Sequence, residues 1–271
     1  MAIAKRRKPI PVFTSRQIDI ANDAAVLLYN GRDFVNGEEI VSDREFLVHF
    51  SSEFERLRKS NKPAIRLSRI IIHDLIIVSM LKPMYRKQNE LTYPGLERYF
   101  NSHYPAFYRG YKTNKDKETK LLMSSEFVIK SGKAVVKPNV SAKAGYRVPF
   151  ASRMLFFAAP EMLIFNYANR LAEKEMKYQS RPHYAYPYYA KDMLEGLRKN
   201  WKQLSRYNIP LKRKNKPEVD IAVAYRSHWW ARRVFDIALL LHFRVFTKQY
   251  SVHNFNNLTY KFQSKSNSLC P

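Results

Sequence analysis

The sequence predicts an all-α, mainly helical protein built as a two-lobed helical bundle. Long segments place apolar residues three or four positions apart, which is the spacing of an amphipathic helix. Only 7 glycines occur in 271 residues, and few segments alternate between apolar and polar residues as strands do. With 45% hydrophobic residues, a chain of this length can bury a substantial core.

Composition and breaks along the chain predict four segments. They are a basic flexible arm over 1–12, an N-terminal helical lobe over 13–130, a second helical lobe over 131–250 and a polar tail over 251–271. The arm carries Lys5, Arg6, Arg7 and Lys8. It either contacts a phosphate backbone without sequence preference or has no role, and both remain open.

Helix starts and stops can be read in the N-terminal lobe. Thr14 or Ser15 can cap a first helix, and the Asn-Gly pair at 30–31 predicts its end. Ser42 is followed three residues later by Glu45, which is a capping box for a second helix. A segment apolar nearly all round, 64–81, predicts the central helix of this lobe.

The segment 93–111 is rich in aromatic residues interleaved with cations. Its Tyr and Phe residues are interleaved with the cations Arg98 and Arg109, and Lys112 follows the segment directly. Such a pattern suits unpaired bases and their phosphates, or it packs a helix pair into the core. Helical spacing of the aromatics favours the core, and the nucleic-acid alternative stays open.

Further elements follow along the chain. A short helix or strand is predicted over 121–129, ending in a turn at 131–132. The Tyr-rich, Pro-containing segment 181–189 predicts a rigid loop, serving either as a recognition surface or as a lid on the core. An amphipathic helix over 189–204 and a last long helix over 227–246 are predicted after it.

The charge of the chain points to a polyanionic partner. Lys and Arg number 48 against 23 Asp and Glu, which gives a net charge of +25. An excess of this size, together with 14% aromatic residues, favours nucleic acid over a cationic surface without a specific partner. DNA, most simply double-stranded, is therefore the expected partner of a monomer.

Several chemistries are excluded by motif. Cys270 is the single cysteine, so neither a disulfide within the chain nor a Cys-based metal site is expected. The 7 histidines are scattered and no glycine-rich phosphate loop occurs, so no metal and no cofactor are expected. The N-terminal residues lack the apolar core of a secretory signal and no segment is long enough to span a bilayer, which predicts a soluble, cytoplasmic protein.

The stretch 145–170, GYRVPFASRMLFFAAPEMLIFNYANR, is the centre of the functional argument. An apolar run over 150–159 predicts a buried helix of about three turns, preceded by a basic segment and closed by Pro160. The helical pattern resumes at Ile164. Because this buried helix has a polar turn at each end, Arg147 and Asn166 are expected at neighbouring edges of one helix.

These residues resemble the helix-hairpin-helix core of the 8-oxoguanine DNA glycosylase superfamily, and the chain looks like a divergent bacterial member. The resemblance rests on Gly145 to Val148, then Pro160, then Asn166, with the family's spacing. FASRMLFFAAPEMLIFN and, further on, RRVFDIAL at 232–239 are similar to bacterial glycosylase-like proteins of this fold. The likeness covers roughly 140–245, which makes 131–250 the glycosylase-like lobe.

The resemblance implies a DNA glycosylase that flips out a damaged or modified base and hydrolyses its N-glycosidic bond, leaving an abasic site. Arg147 stands where the family has its Schiff-base lysine, and a guanidinium stays protonated, so a monofunctional enzyme is implied. Asn166 stands where the family has its catalytic aspartate. It orients water more weakly, another acid replaces it, or the site is inactive, and the structural alternative is that Asn166 only caps a helix. The candidate replacements are Asp236, Glu161 and Asp220.

The same resemblance assigns the binding surface. The residues expected to contact DNA are Lys137, Lys143, Gly145, Tyr146, Arg153 and Arg170. The residues expected to hold the flipped base are Phe150, Trp229 and Trp230, with Tyr146. Since glycosylases of this fold family occur among antiviral defences, a modified phage base is an implied substrate. The alternative is a non-catalytic nucleic-acid-binding protein on the same scaffold.

Overall fold

The structure, a computed structural model, describes residues 8–30, 33–35, 38–40, 42–59, 93–134, 148–158, 163–164, 172, 175–178, 182–209, 223–243 and 261–262. In chain order its elements are α1 (Ser15–Asn30), β1 (Asp33–Val35), β2 (Glu38–Ile40), α2 (Asp43–Lys59), α3 (Tyr93–Thr113), α4 (Lys117–Ala134), α5 (Val148–Ala158), α6 (Pro182–Leu204) and α7 (Val223–His242). None of these helices combines the length and apolar character needed to cross a bilayer.

The mainly helical class is confirmed, with one β-hairpin that the sequence analysis missed. Strands β1 and β2 pair antiparallel, with Asp33 opposite Ile40 and Val35 opposite Glu38. The sequence places Asn-Gly between the two strands, which is the strongest short-range signal for a hairpin. The hairpin was missed because three-residue strands are too short to show an alternating pattern of apolar and polar residues.

The chain divides into two compact units, each made of two separate segments. The first unit comprises Met1–Ile10 and Glu45–Glu195, and the second comprises Pro11–Arg44 and Gly196–Pro271. The predicted lobes were contiguous in sequence, and their limits at 13–130 and 131–250 stay a prediction. Residue 130 itself lies inside α4. The helix-hairpin-helix core also stays a prediction, because most of 140–170 lies outside the described residues.

In the first unit, α4 packs against both α3 and α5. The aromatic residues of α3 form the centre of this packing: Phe100 and Tyr104 are fully buried. The Tyr104 ring meets Phe54 edge-on at 4.4 Å, and Phe107 stacks on Phe127 at 4.2 Å. Of the two interpretations of 93–111, the core is therefore confirmed for these aromatic side chains.

Two predicted breaks prove to be helical. The predicted turn at 131–132 lies within α4, and residues 182–189 of the predicted loop 181–189 form the first two turns of α6. Pro182 suits the first position of a helix, where its missing N–H costs nothing. Pro187 removes one hydrogen bond further in, but burial of Tyr186 and Tyr189 at 1% and 0% exposure stabilises this turn.

Other predicted helices are confirmed. Helix α1 begins with a reciprocal cap: Thr14 Oγ1 accepts from Gln17 N at 3.2 Å, and Gln17 Oε1 accepts from Thr14 N at 3.0 Å. It ends at Asn30, as the Asn-Gly pair predicts. The apolar run 150–159 falls on α5, whose described side chains are all buried. The predicted central helix over 64–81 lies outside the described residues.

The core of the second unit forms where α1 packs on α7. Trp229 and Trp230 are fully buried, and Tyr29 meets the Trp230 ring edge-on at 5.5 Å. Phe13, just before α1, is 2% exposed and makes edge contacts with Phe235 and Phe262. The unit is therefore built on large aromatic side chains, each of which buries much apolar area.

Asn200, on the buried side of α6, fixes the segment that leads into α1. Its Oδ1 accepts from Phe13 N at 2.7 Å, and its Nδ2 donates to Pro11 O at 3.1 Å and to Gly196 O at 2.8 Å. Asn200 is fully buried, so these bonds satisfy polar groups that have no access to water.

We predict that Asn200→Ala lowers the free energy of unfolding by about 1–3 kcal/mol, because it leaves the buried Phe13 N–H without an acceptor. Chemical denaturation followed by far-UV circular dichroism measures this loss. Asn208→Ala, at an exposed position in the same unit, is the control and should stay within about 0.5 kcal/mol of the parent. Equal stability of the two variants would contradict the structural role of Asn200.

Candidate nucleic-acid interface

Most residues that the resemblance implicates lie outside the described part of the structure. They are Lys137, Lys143, Gly145, Tyr146, Arg147, Asn166 and Arg170, together with the alternative acids Glu161 and Asp220. Phe150 belongs to α5, but its side chain is also outside the described part. The structure describes the side chains of four of the implicated residues: Arg153, Trp229, Trp230 and Asp236.

Arg153 lies on α5 and is 5% exposed. On either side of it along α5, Ser152 and Met154 are fully buried. A phosphate would reach this guanidinium only after a change in the packing of α5. Arg153 as a DNA contact stays a prediction, and this burial does not support it.

The two predicted base-pocket tryptophans are part of the core of the second unit. Trp230 Nε1 donates to Asn22 Oδ1 at 2.9 Å, and both indole rings contact Tyr29. Both side chains have 0% exposure. In this arrangement neither ring offers a free face on which a base could stack.

Asp236 forms a buried ionic cluster with Arg233 and Asp43. Arg233 Nε donates to Asp43 Oδ2 at 2.5 Å, and Arg233 Nη1 donates to Asp236 Oδ2 at 2.8 Å. All three side chains are at most 9% exposed. The Arg233 guanidinium thus joins α7 to the first residue of α2. The Asp236 carboxylate is therefore engaged by Arg233, and its catalytic role stays a prediction.

An exposed cationic surface lies at the C-terminal end of α6, within the second unit. Arg198, Lys199 and Lys202 are exposed on the helix, and Arg206 is exposed in the turn that follows. Ser205 N donates to Trp201 O at 2.9 Å, so helical hydrogen bonding continues to that turn. We call Arg198, Lys202 and Arg206 the α6 cation row.

Helical geometry puts these cations on one side. At about 100° per residue, the members of the row are spaced by about 40° and lie within a quarter of the circumference. The opposite side carries the buried Leu197, Asn200 and Leu204. Packing of that side requires only that the exposed side be polar, and any polar residues would satisfy this requirement. The sequence instead places like charges four residues apart, an arrangement that destabilises an isolated helix.

Acidic residues are absent from 196–209, all of which the structure describes. The nearest acid along α6 is the exposed Glu195. No ion pair joins Arg198, Lys202 or Arg206 to an acid in the described part of the chain. The row therefore keeps its positive charge available to a partner in solution.

Two acidic groups of α1, Asp19 and Asp23, act on Tyr207 at the end of the row. Tyr207 Oη donates to the Asp19 carboxylate. Burial of the Tyr207 phenol, followed by this hydrogen bond, raises the pKa of Tyr207 to about 12. Tyr207 therefore stays a neutral donor at physiological pH, and Asp19 is engaged by it.

The sequence predicts the amphipathic helix over 189–204, but its cations were assigned no function. Arg206 lies beyond the predicted helix end and was not singled out. The signal available in the sequence was the recurrence of cations at 198, 202 and 206 in a stretch without acids. Only the burial of Leu197, Asn200 and Leu204 shows which side of the helix faces solvent.

Comparisons with protein-family profiles, with curated proteins and with solved structures found no match to this chain. Among the residues that the structure describes, no three His, Cys, Asp or Glu side chains are placed to hold a metal ion. The candidate interface therefore rests on the chain's own charges and geometry.

We predict that Arg233→Met destabilises the protein by about 3–5 kcal/mol, because two buried carboxylates lose the cation between them. The shift in the denaturation midpoint measures this effect. The matched control is Arg16→Met at an exposed position of α1, where a change below about 0.5 kcal/mol is expected.

Asp236→Asn separates a structural role from a catalytic one. The structural role predicts a loss of stability of about 1–3 kcal/mol, because the Arg233 guanidinium loses a charged acceptor. A variant that keeps full stability but loses base release would instead assign Asp236 to catalysis. Thermal unfolding measures the stability of the variant, and an abasic-site assay on the same preparation measures its base release.

Proposed function

We propose that this protein binds DNA, and that the α6 cation row contacts the phosphate backbone. The observation that carries the proposal is an exposed helix side with clustered cations and no acid over 196–209, in a chain of net charge +25. Long Arg and Lys side chains on a rigid helix reach phosphate oxygens without needing a particular base. Such contacts displace counterions from the nucleic acid, which makes affinity depend on salt.

The burial of the opposite side supports this choice of surface. Asn200 and Leu204 hold the C-terminal half of α6 in the core of its unit, so the row is presented from a fixed element. Side chains carried by a helix cost less backbone ordering on binding than side chains carried by a loop. Cations near a helix C-terminus also interact favourably with the helix dipole. Stabilisation of α6 is therefore the alternative role for these residues.

Neutralising the row tests the proposal. We predict that the triple variant Arg198→Gln, Lys202→Gln, Arg206→Gln weakens binding to a mixed-sequence DNA. The slope of log affinity against log salt should become shallower by about one for each lost phosphate contact. Fluorescence anisotropy over a salt series measures both quantities, and a melting curve checks that the fold is retained.

The matched control removes the same charge elsewhere. Arg98, Arg109 and Lys112 are exposed on α3 in the first unit, and their triple Gln variant lowers the net charge equally. A smaller effect on affinity and slope is expected for this control. If both triple variants behave alike, the row is no specific contact and only the overall charge attracts DNA. Absence of DNA binding by the parent protein would overturn the proposed function itself.

Base excision is a second candidate, and the spacing of Val148, Pro160 and Asn166 favours it. Helix α5 begins at Val148 and its described side chains are buried, which agrees with the buried helix that the resemblance implies. In this proposal the protein is a monofunctional glycosylase that hydrolyses the N-glycosidic bond of a damaged or phage-modified base. Asn166 would orient the attacking water through its amide oxygen.

We predict for this candidate that Asn166→Ala abolishes base release while leaving DNA affinity within about twofold, since it removes a catalytic contact only. The measurement is strand scission at abasic sites, in alkali, over a panel of oligonucleotides with damaged and hypermodified bases. Asn208→Ala is the control substitution. Failure of the parent protein to release any base across the panel would rule out the glycosylase and leave DNA binding as the function.

A further inference from the structure

A pair of aromatic rings lies at the surface beside the α6 cation row. Trp201 of α6 stacks on His228 of α7, with ring centroids 5.2 Å apart and planes inclined by 25°. Trp201 is partly exposed and His228 is exposed. Both residues belong to the second unit, so their contact is internal to it. An indole ring kept partly in water leaves apolar area unburied, and the core of this unit does not account for it.

The position of Trp201 on α6 places it at the edge of the row. It lies three residues after Arg198, about 60° around the helix from it. Lys202 follows directly in sequence, and Ser205, one turn later, is also exposed. A flat aromatic surface therefore borders cations that can hold a phosphodiester.

The other two tryptophans do not share this property. The chain has 3 Trp residues, and Trp229 and Trp230 are fully buried. Trp201 is thus the one indole of the chain that a ligand can reach in this arrangement. This contrast separates a surface role for Trp201 from the core role of the other two.

We propose that the Trp201–His228 pair is a stacking platform for an unpaired base, and that the α6 surface takes single-stranded DNA. This inference rests on the proposed DNA binding and adds which form of DNA the surface selects. Proteins that bind single strands combine a cationic track for the backbone with aromatic rings on which bases stack. In a duplex the base faces are covered by their neighbours, so a duplex gives the platform nothing to stack on.

The charge of the surface favours a nucleic acid over a protein segment as the occupant. Arg198, Lys202 and Arg206 have no acid among them over 196–209, and a polyanion with planar bases satisfies both the row and the platform. An acidic peptide would satisfy the row alone. Stacking draws on the π-face present in every base, so the binding is tolerant of sequence.

Tryptophan fluorescence of the full-length protein provides the test. The ligands are a single strand of about 12 nucleotides, its duplex, and a strand of equal length made of abasic sugar-phosphate units. The expected result is quenching by the base-bearing single strand, with weaker quenching by the duplex and by the abasic strand. Because two of the three indoles are buried, Trp201→Phe should remove the quenching while largely keeping affinity.

Affinity changes provide the second reading. His228→Ala and Trp201→Ala should each weaken single-strand binding by about 5- to 150-fold, the range for loss of one stacked base, with a smaller effect on the abasic strand. His228 is exposed, so its replacement keeps the proposal testable if Trp201→Ala unfolds the protein. Tyr188→Ala is the control, since Tyr188 is a 60% exposed aromatic residue at the other end of α6.

Each outcome is decisive for one of the two proposals. Equal affinity for the single strand, the duplex and the abasic strand, without quenching, would overturn the platform and leave backbone binding intact. Loss of affinity in His228→Ala that is equal for base-bearing and abasic strands would also overturn it. No binding to any of the three ligands would overturn the proposed function. A matching RNA strand shows whether the sugar matters, and tighter binding to it would overturn the assignment to DNA.

Discussion

The second unit depends on the cluster in which Arg233 is held between Asp43 and Asp236. A guanidinium at 3% side-chain exposure cannot be left unpaired, because an unpaired buried charge costs several kcal/mol. Its two carboxylates, those of Asp43 and Asp236, both belong to the second unit, so the pairing links Asp43 to α7 within that unit. Around this cluster the unit is filled by large rings, including Trp229 and Trp230. The polar cluster specifies the arrangement, and the aromatic side chains contribute the apolar area.

This use of charge in the core contrasts with the use of charge at the surface. In the buried cluster Asp43 and Asp236 each have a cation at hydrogen-bond distance, whereas the cations along 196–209 have no acid among them. Fold stability does not require that second arrangement, since like charges four residues apart repel. The proposed contact with a DNA backbone supplies a physical reason for it. The proposed stacking explains the partly exposed Trp201 next to the row in the same way, because covering an aromatic ring with a base lowers the free energy of the complex.

The candidate site illustrates why sequence similarity and geometry assign residues differently. Asp236, Trp229 and Trp230 were selected because their residue types suit catalysis and base stacking. In the fold, Asp236 is bound by Arg233 and the tryptophans meet Tyr29, so their chemistry is used within the core. Trp201 carries the same stacking chemistry at the surface. Residue type alone does not distinguish a buried tryptophan from an exposed one, since burial depends on which helices pack together.

The sequence by itself determined what local interactions control. It set the helical class through apolar spacing, the start of α1 through the Thr14–Gln17 cap, its end at Asn30, and the net charge of +25. Tertiary structure decided what depends on distant partners. Burial of Tyr186 and Tyr189 keeps 182–189 helical despite two prolines, and Asn200 reaches back across the chain to Phe13. The physical reason is that caps and periodicity act within a few residues, whereas burial and ion pairing depend on residues that only folding brings together.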